Sequence, residues 1–201
     1  MLIRHWAGQR EVLMGRRSRT ARFLPNILVF PGGGLERADH RPSGFSESIP
    51  IAPGGIDAAT RRAFPALLRC ALRETWEETG VLVGRRRKAR EAPAGEAIWQ
   101  AYADAGIAPA FESLRLLARA ITPPQSPIRF HTRFFCAEVT EAVFGEPRDD
   151  ELEQVRWLPV EEALAEDLID VTAFMLQRAL VPGPSDPAPL FRYRQDKAVV
   201  V

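Results

Sequence analysis

The residues Arg73–Val81 read RETWEETGV, in which Glu74, Glu77 and Glu78 stand at positions i, i+3 and i+4. On a helix this spacing directs the three side chains toward one patch of surface. Like charges placed in this way repel by roughly a few tenths of a kcal/mol per pair, so helix stability alone does not favour the pattern. A divalent cation between the three side chains turns this repulsion into a net attraction, because Mg²⁺ and Mn²⁺ take carboxylate oxygens as ligands. The stretch therefore predicts a metal-binding helix, against the alternative of a solvated acidic face.

The helix that carries these glutamates is predicted to run from Pro65 to Thr79. Proline is tolerated in the first turn of a helix but not deep inside one, and Gly80 is the residue type that commonly follows a helix end. Steps of about 100° per residue separate the glutamates from a packing face. That face consists of Leu68, Ala71, Leu72, Thr75 and Thr79. Arg73 lies one turn before Glu77, and we expect it to orient that carboxylate.

A glycine-rich turn lies upstream of the helix. Asn26–Phe30 is rich in β-branched and apolar residues and predicts a strand, which stops at Pro31 and is followed by Gly32, Gly33 and Gly34. A backbone without side chains can approach a metal ion or a phosphate closely. The alternative is an ordinary turn, because proline and glycine form turns in all classes of protein.

Outward from these motifs, helical and extended patterns alternate along the chain. Strands are predicted at 2–4, 11–14, 81–83, 114–121, 130–139 and 155–158, and further helices near 96–104, 160–166 and 171–180. Residues 37–55 are rich in Pro, Gly, Ser and Asp and predict a long exposed loop. The interleaving favours an α/β or α+β sandwich with a mixed sheet.

Composition sets the broad class of protein. A chain of 201 residues that is 46% hydrophobic fits one domain spanning 1–201. The net charge of +1 gives no sign of a nucleic-acid or membrane-surface partner. No apolar run is long enough to span a bilayer. Cys70 and Cys136 lack the spacing of a zinc or redox motif, so we expect reduced core residues and a cytoplasmic protein.

Gly33, Asp39 and Arg73–Val81 together resemble the Nudix box, a loop-helix-loop motif of the Nudix hydrolase superfamily. The chain departs from that pattern in three ways: Asp39 replaces a glutamate, Thr75 replaces an apolar residue, and residues 40–72 stand where the family has seven residues. We therefore expect an insertion at about 40–64, which could cover the site. Further segments resemble the branch with an expanded box that includes a peroxisomal coenzyme A diphosphatase. These are Arg16–Pro25, Ile121–Pro123, Arg129–Phe135 and Trp157–Pro159.

The resemblance implies an α/β/α sandwich around a mixed sheet, with Mg²⁺ or Mn²⁺ as the cofactor. It makes Glu77 and Glu78 the direct metal ligands, joined by a backbone carbonyl of Gly32 or Gly33. Glu74 is then a further ligand or the base that activates water. Gly33 and Gly34 would contact the substrate.

The resemblance also points to supporting and substrate-binding residues. Asp39 stands where the family has a supporting acid, and Glu151 is the candidate for a late catalytic acid, with a solvated turn as its alternative. Arg129 and Arg133 are expected on one side of a strand, where they contact a phosphate or form salt bridges. The basic run Arg85–Lys88 contacts a phosphate or is merely solvated.

The function that the resemblance implies is hydrolysis of a diphosphate bond in a small nucleotide-like molecule. Coenzyme A or acyl-coenzyme A is the favoured substrate, with a phosphopantetheine and 3′,5′-ADP as products. ADP-ribose, NADH and dinucleoside polyphosphates are the alternatives. Other classes remain open: a non-catalytic nucleotide-binding regulator with the same fold, or an interaction domain with an incidental motif. The resemblance is also compatible with a homodimer.

Overall fold

The elements of the protein alternate between strands and helices, as the periodicity predicts. The computed structural model describes residues 1–21, 24–86, 95–139, 142–181, 187–195 and 197–201. The strands described are β1 Leu2–Trp6, β2 Gln9–Arg17, β3 Leu28–Val29, β4 Val81–Arg86, β5 Ile107–Pro109, β6 Arg115–Ile121, β7 His131–Glu138, β8 Ala142–Phe144, β9 Leu152–Pro159, β10 Leu190–Arg194 and β11 Lys197–Val200. The α-helices are α1 Ala58–Thr79, α2 Ala97–Asp104, α3 Val160–Ala165 and α4 Asp170–Ala179, and short 3-10 turns span Ala38–His40 and Phe111–Ser113.

The larger sheet is mixed. Its order is β11-β10-β6-β7-β1-β2-β3, and β9 also pairs with β2. β1 and β7 are parallel, as are β10 and β6, whereas the remaining pairs are antiparallel. A second sheet of three strands has the order β5-β4-β8. The predicted mixed sheet is therefore confirmed.

Helices cover both faces of the larger sheet. Successive side chains of β2 point to opposite faces, so Leu13 packs in the cluster that contains α1, whereas Val12 and Met14 pack in the cluster that contains α3. Helix α4 contributes Met175 to a third cluster on the same face as α3. The smaller sheet contributes its strand β4 to the α1 side. This arrangement confirms the predicted α/β/α architecture and holds α1 between the two sheets.

The start of α1 differs from the prediction. The helix begins at Ala58, and Pro65 lies inside it, so the expectation that Pro65 starts the helix is wrong. An internal proline loses one backbone hydrogen bond, at a typical cost of about 3 kcal/mol. The preceding turns are held by other contacts: Asp57 caps the helix by accepting from the Thr60 amide at 2.8 Å, and Phe64 is buried in the core. The last part of the insertion is therefore helical.

The end of α1 agrees with the prediction. Gly80 has φ 71°, in the left-handed region, and its amide donates to the Trp76 carbonyl at 2.8 Å. A Cβ at this position would lie 2.1 Å from the Gly145 carbonyl oxygen. Only glycine fits, and the chain turns directly from the acidic helix into β4.

The loop before α1 is less exposed than predicted. Asp39 and Ser43 are buried, and Phe45, Ile49 and Ala52 pack against the core cluster around α1. The expectation of a wholly exposed loop is wrong at these positions, because composition does not show which loop residues find partners on the core. None of the described helices is long and apolar enough to cross a membrane.

Candidate active site

The guanidinium of Arg73 lies at the centre of the acidic helix and holds the glycine turn against it. Its Nε and Nη2 donate to the two carboxylate oxygens of Asp39 at 3.0 and 2.9 Å, and Nη2 also donates to the Gly34 carbonyl at 3.0 Å. Both side chains are almost completely buried. A bidentate pair of this kind fixes orientation as well as charge. The structure therefore places Asp39, despite the insertion, directly beside the helix.

The same guanidinium gathers two of the three glutamates. Nη1 of Arg73 lies 2.9 Å from Oε1 of Glu74 and 2.8 Å from Oε2 of Glu77. The pKa of Arg73 is raised: burial acts to lower it, but the bonds with Asp39 and the charge of Glu74 outweigh burial. The predicted contact between Arg73 and Glu77 is confirmed, and the other carboxylate oxygen of each glutamate is left for a further partner.

Glu78 faces the glycine turn instead. Its Oε2 accepts from the Gly32 amide at 2.7 Å, and the residue is only 2% exposed. A Cβ on Gly33 would lie 2.5 Å from Oε2 of Glu74, a distance that carbon atoms do not tolerate. Any side chain at 33 would displace the Glu74 carboxylate, because the backbone passes directly over it.

Burial leaves two of these carboxylates unusually basic. The pKa of Glu74 is raised to about 7, mainly by burial and further by the charges of Glu77 and Glu151, although Arg73 opposes the shift. The pKa of Glu78 is raised to about 8, again mainly by burial, with the Gly32 amide opposing. A buried carboxylate without enough positive charge nearby holds its proton at neutral pH. The site therefore lacks positive charge.

The donor set fits a divalent cation. Asp39, Glu74 and Glu77 share one guanidinium, Glu78 lies against the Gly32 amide, and the oxygens of all four are hard donors of the kind that Mg²⁺ and Mn²⁺ prefer. Within the described ranges, no three or more acidic, histidine or cysteine side chains form a group that could hold a metal ion by themselves. Mg²⁺ typically binds through one or two carboxylates, retained waters and substrate phosphates, so a partial cage is the expected form.

A late segment lies close to the acidic helix. The amides of Arg148 and Asp149 donate to the Glu77 carbonyl at 2.6 and 3.3 Å, and the Arg148 guanidinium lies 4.8 Å from the Trp76 ring centroid. The charge of Glu151 raises the pKa of Glu74 and Glu78, so the structure places this predicted acid near the site. Asp149 acts on Glu78 in the same way, and sequence reasoning missed it because only its neighbour Glu151 was singled out.

Arg133 is not brought to the glutamates. Its guanidinium contacts the hydroxyl of Thr60 and lies 4.0 Å from Oδ2 of Asp57, at the first turn of α1. Glu74 comes fourteen residues after Thr60 on the same helix, about 21 Å further along its axis. Arg133 therefore braces the start of the helix.

Arg129 also differs from the prediction. Strand β7 begins at His131, so Arg129 lies in the preceding turn and does not alternate with Arg133 on a strand; that expectation is wrong. In the basic run, Arg85 pairs with Glu112 at 3.0 Å. Arg87 and Lys88 lie outside the described residues, as do Arg22 and Phe23.

A cleft of about 930 Å³ opens away from these residues. Its walls include Arg4, Trp6, Arg86 and Phe144, and none of the three glutamates lines it. Volume alone is a weaker guide here than chemistry, because the buried carboxylates beside the glycine turn have raised pKa values, as groups in active sites often do. The candidate active site is therefore defined by the acidic helix and the glycine turn.

Comparison with known proteins gives the following matches. No family model matches the chain. A solved structure, the NUDIX hydrolase from Alicyclobacillus acidocaldarius, has a TM-score of 0.67 and 32% identity, covering 88% of this chain and 86% of that chain. The putative nudix hydrolase 7 of Caenorhabditis elegans is 26% identical over 166 residues, 78% of this chain. The acyl-coenzyme A diphosphatase NUDT19 of Xenopus laevis is 30% identical over 95 residues, 36% of this chain.

The matches differ in how much of each relative they cover. The chain spans 49% of the C. elegans protein and 25% of the X. laevis protein, so it covers half or less of these curated relatives. The A. acidocaldarius protein matches over most of both chains. The resemblance seen in Gly33, Asp39 and Arg73–Val81 agrees with that match. The chain belongs to the Nudix hydrolase superfamily.

Proposed function

We propose that the chain hydrolyses a diphosphate bond in a small nucleotide-like molecule, with Mg²⁺ or Mn²⁺ held by Glu77, Glu78 and a backbone carbonyl of Gly32 or Gly33, and with Glu74 as a further ligand or as the base that activates water. The observation that carries this proposal is the buried group of carboxylates against a glycine turn, where a Cβ on Gly33 would meet the Glu74 carboxylate. A purely structural helix gains nothing from such a group. A cation and the phosphates that accompany it would balance the charge.

Each residue has a role that its contacts support. Glu77 is partly exposed and Glu78 faces the glycine turn, so the two can hold a cation between solvent and backbone. When bound, a divalent cation activates water and neutralises charge on the leaving phosphate. Glu74, with a pKa of about 7, can accept a proton from the attacking water near neutral pH. Arg73 and Asp39 orient the glutamates without touching the substrate.

Glu151 is the second candidate for the proton acceptor. Its segment is anchored to the site, because the Glu151 carbonyl accepts from the Ser18 amide at 3.2 Å and the neighbouring amides bond to Glu77. Its carboxylate is exposed and acts on Glu74 and Glu78 through its charge. Glu74 and Glu151 can be separated by substitution, since only Glu74 contacts Arg73.

Coenzyme A or an acyl-coenzyme A is the proposed substrate. Two observations support it: the sequence segments shared with the expanded-box branch, and the name of the X. laevis relative, an acyl-coenzyme A diphosphatase. Cleavage of the diphosphate would give a phosphopantetheine and 3′,5′-ADP. Since Arg133 contacts the start of α1, Arg129 is the remaining one of the two arginines predicted to contact a phosphate of this substrate.

The remaining features are also proposals. A single domain over 1–201 and a homodimer rest on chain length and family resemblance. The small net charge favours a small-molecule substrate over nucleic acid or a membrane surface. Cys70 and Cys136 are free and buried, which supports a reducing, cytoplasmic environment.

A metal-supplemented screen tests the function. The protein is incubated with Mg²⁺ or Mn²⁺ and coenzyme A, acetyl-coenzyme A, ADP-ribose, NADH or a dinucleoside tetraphosphate, and the products are identified by mass. We expect turnover of coenzyme A compounds to 3′,5′-ADP, abolished by EDTA. Preference for another compound would contradict coenzyme A as the proposed substrate. Metal-dependent binding without any product would indicate a nucleotide-binding regulator.

A further inference from the structure

The insertion is tied to the acidic helix by a buried ion pair. Arg69 of α1 donates through Nε to Oε1 of Glu47 at 2.9 Å, and its Nη2 donates to Oε2 of the same carboxylate. The two side chains are 8% and 12% exposed. Glu47 lies within the insertion, and the Ser43 amide also donates to it at 2.7 Å. A bidentate pair at this depth fixes both partners.

Arg69 also connects the insertion to the candidate active site. Its Nη1 donates to the backbone carbonyl of Asp39 at 3.0 Å, whereas the side chain of Asp39 is held by Arg73. The two arginines stand at i and i+4 and so project from one side of α1. Asp39 is thereby held twice, through its main chain and its carboxylate. Arg73 in turn contacts Glu74 and Glu77.

The buried charge of Arg69 makes Glu47 necessary. Removing one partner of a buried pair leaves the other charge uncompensated, which typically costs more than the pair contributes. Without Glu47, Arg69 would turn toward solvent or toward another carboxylate. Of the carboxylates near it, that of Asp39 already holds Arg73. Either movement changes the contacts that orient the glutamates.

We propose that Glu47 and Arg69 are positioning residues, through which the insertion holds Asp39, Arg73 and the catalytic glutamates in place. This inference rests on the proposed function of the glutamates. It assigns the insertion a mechanical role distinct from covering the substrate. Neither Glu47 nor Arg69 is placed in contact with a metal ion or a phosphate.

The test compares Glu47→Gln with a control in the same insertion, Arg61→Gln. Arg61 donates to the Ala52 and Pro53 carbonyls and is exposed, so its loss leaves the Arg69 contacts intact. Hydrogen exchange of the peptide around 36–41 reports the position of Asp39, because the Glu36 amide donates to Oδ2 of Asp39 and the Arg41 amide to the Ala38 carbonyl. Calorimetric titration measures how tightly the glutamates bind Mn²⁺, and thermal unfolding measures global stability.

We expect Glu47→Gln to speed exchange at 36–41 by about tenfold and to weaken Mn²⁺ binding by a similar factor, as loss of a charged hydrogen bond would. Arg61→Gln should leave both unchanged. Arg69→Lys keeps the charge but loses the second donor, so it should give an intermediate effect and serves if Glu47→Gln does not fold. A lowered melting temperature with unchanged exchange and Mn²⁺ affinity would overturn the inference. A wild-type protein that neither binds Mn²⁺ nor hydrolyses a diphosphate would refute the proposed function, while the exchange data would still report the positioning.

Discussion

The two ends of α1 both bring carboxylates to an arginine, with opposite results. At the first turn, Asp57 accepts from the Thr60 amide and hydroxyl and lies near Arg133, and its pKa is lowered to about 2. In the last two turns, Arg73 contacts Glu74 and Glu77 while Glu78 accepts from the Gly32 amide, and the pKa values of Glu74 and Glu78 are raised to about 7 and 8. The helix dipole favours an acid at the first end and opposes acids at the second.

The difference shows which acids are structural. Asp57 is satisfied by its own neighbours and needs nothing from outside the chain. Glu74 and Glu78 find too little positive charge within the protein to keep their pKa values low, and they lie at the helix end where the dipole disfavours acids. Such a group persists where an external cation balances it. Changes at the two ends of one helix can therefore be compared directly.

The largest effect is expected from the acidic end. Glu78→Gln or Glu77→Gln should lower turnover by about 100-fold or more, because loss of electrostatic stabilisation at the reacting phosphate costs several kcal/mol of barrier. Steady-state kinetics at saturating Mn²⁺ measure this effect. Asp57→Asn is the matched control: asparagine is also a good N-cap residue, so the variant should lower the melting temperature only slightly and leave turnover within a factor of about two. Near wild-type turnover in both glutamate variants would show that the acidic end of α1, like the end with Asp57, has no role in catalysis.

The glycine turn should be nearly as sensitive. Gly33→Ala places a Cβ 2.5 Å from the Glu74 carboxylate, so either the turn or the glutamate must move. We expect kcat to fall by about tenfold or more, since one misplaced group in an active site has effects of this size. Gly95→Ala is the control, because a Cβ there meets nothing within 4 Å. Equal kcat values for the two variants would show that the close approach has no role in catalysis.

The stability of the metal-free protein should depend on pH in opposite ways at the two ends. Glu74 and Glu78 bind protons more tightly in the folded state than at their ordinary pKa of 4.5, so their contribution is present below about pH 4.5 and is lost as pH rises through 7 to 8. Asp57 has a lowered pKa, so its contribution is present above its ordinary value of 3.8 and is lost as pH falls toward 2.

Differential scanning fluorimetry can separate the two contributions. Mn²⁺ should raise the melting temperature more at pH 8.5 than at pH 6, because ligation favours the ionised glutamates. Asp57→Asn should keep this pH-dependent increment, whereas Glu78→Gln should reduce it. An increment that is the same at both pH values would show that the raised pKa values have no connection with the metal.

The smallest effect is expected from Arg133. Arg133→Gln removes a brace at the first turn, and a partly exposed ion pair contributes at most about 1 kcal/mol. Turnover of coenzyme A should change by no more than a factor of about two, because the guanidinium lies far along the helix from Glu74. A tenfold fall in kcat/KM without loss of stability would restore Arg133 as a phosphate ligand.

What the sequence could predict was mainly local. The spacing of Glu74, Glu77 and Glu78, the Gly80 helix end and the glycine turn each depend on neighbours within a few residues, and the structure agrees with them. The prediction that α1 begins at Pro65 was wrong, because the Asp57 cap and the buried Phe64 extend the helix in spite of the proline. Tertiary contacts outweighed local propensity there.

The contacts that depend on distant residues were not accessible from the sequence. Asp39 reaches Arg73 across the insertion, and Glu47 finds Arg69 only because the loop folds back onto α1. The last two strands, β10 and β11, were missed: β10 is short, and its place in the sheet depends on pairing with the distant strand β6. Asp149 is placed by bonds to the Glu77 carbonyl, which no spacing rule anticipates.

The most direct test of the metal-binding claim is anomalous diffraction from a crystal grown with Mn²⁺ and a non-hydrolysable coenzyme A analogue. We expect an anomalous peak within about 2.0–2.6 Å of carboxylate oxygens of Glu77 and Glu78, beside the Gly32–Gly34 backbone and in contact with a substrate phosphate. A peak only in the cleft lined by Trp6 and Phe144, or none at the glutamates with the analogue bound, would contradict the account.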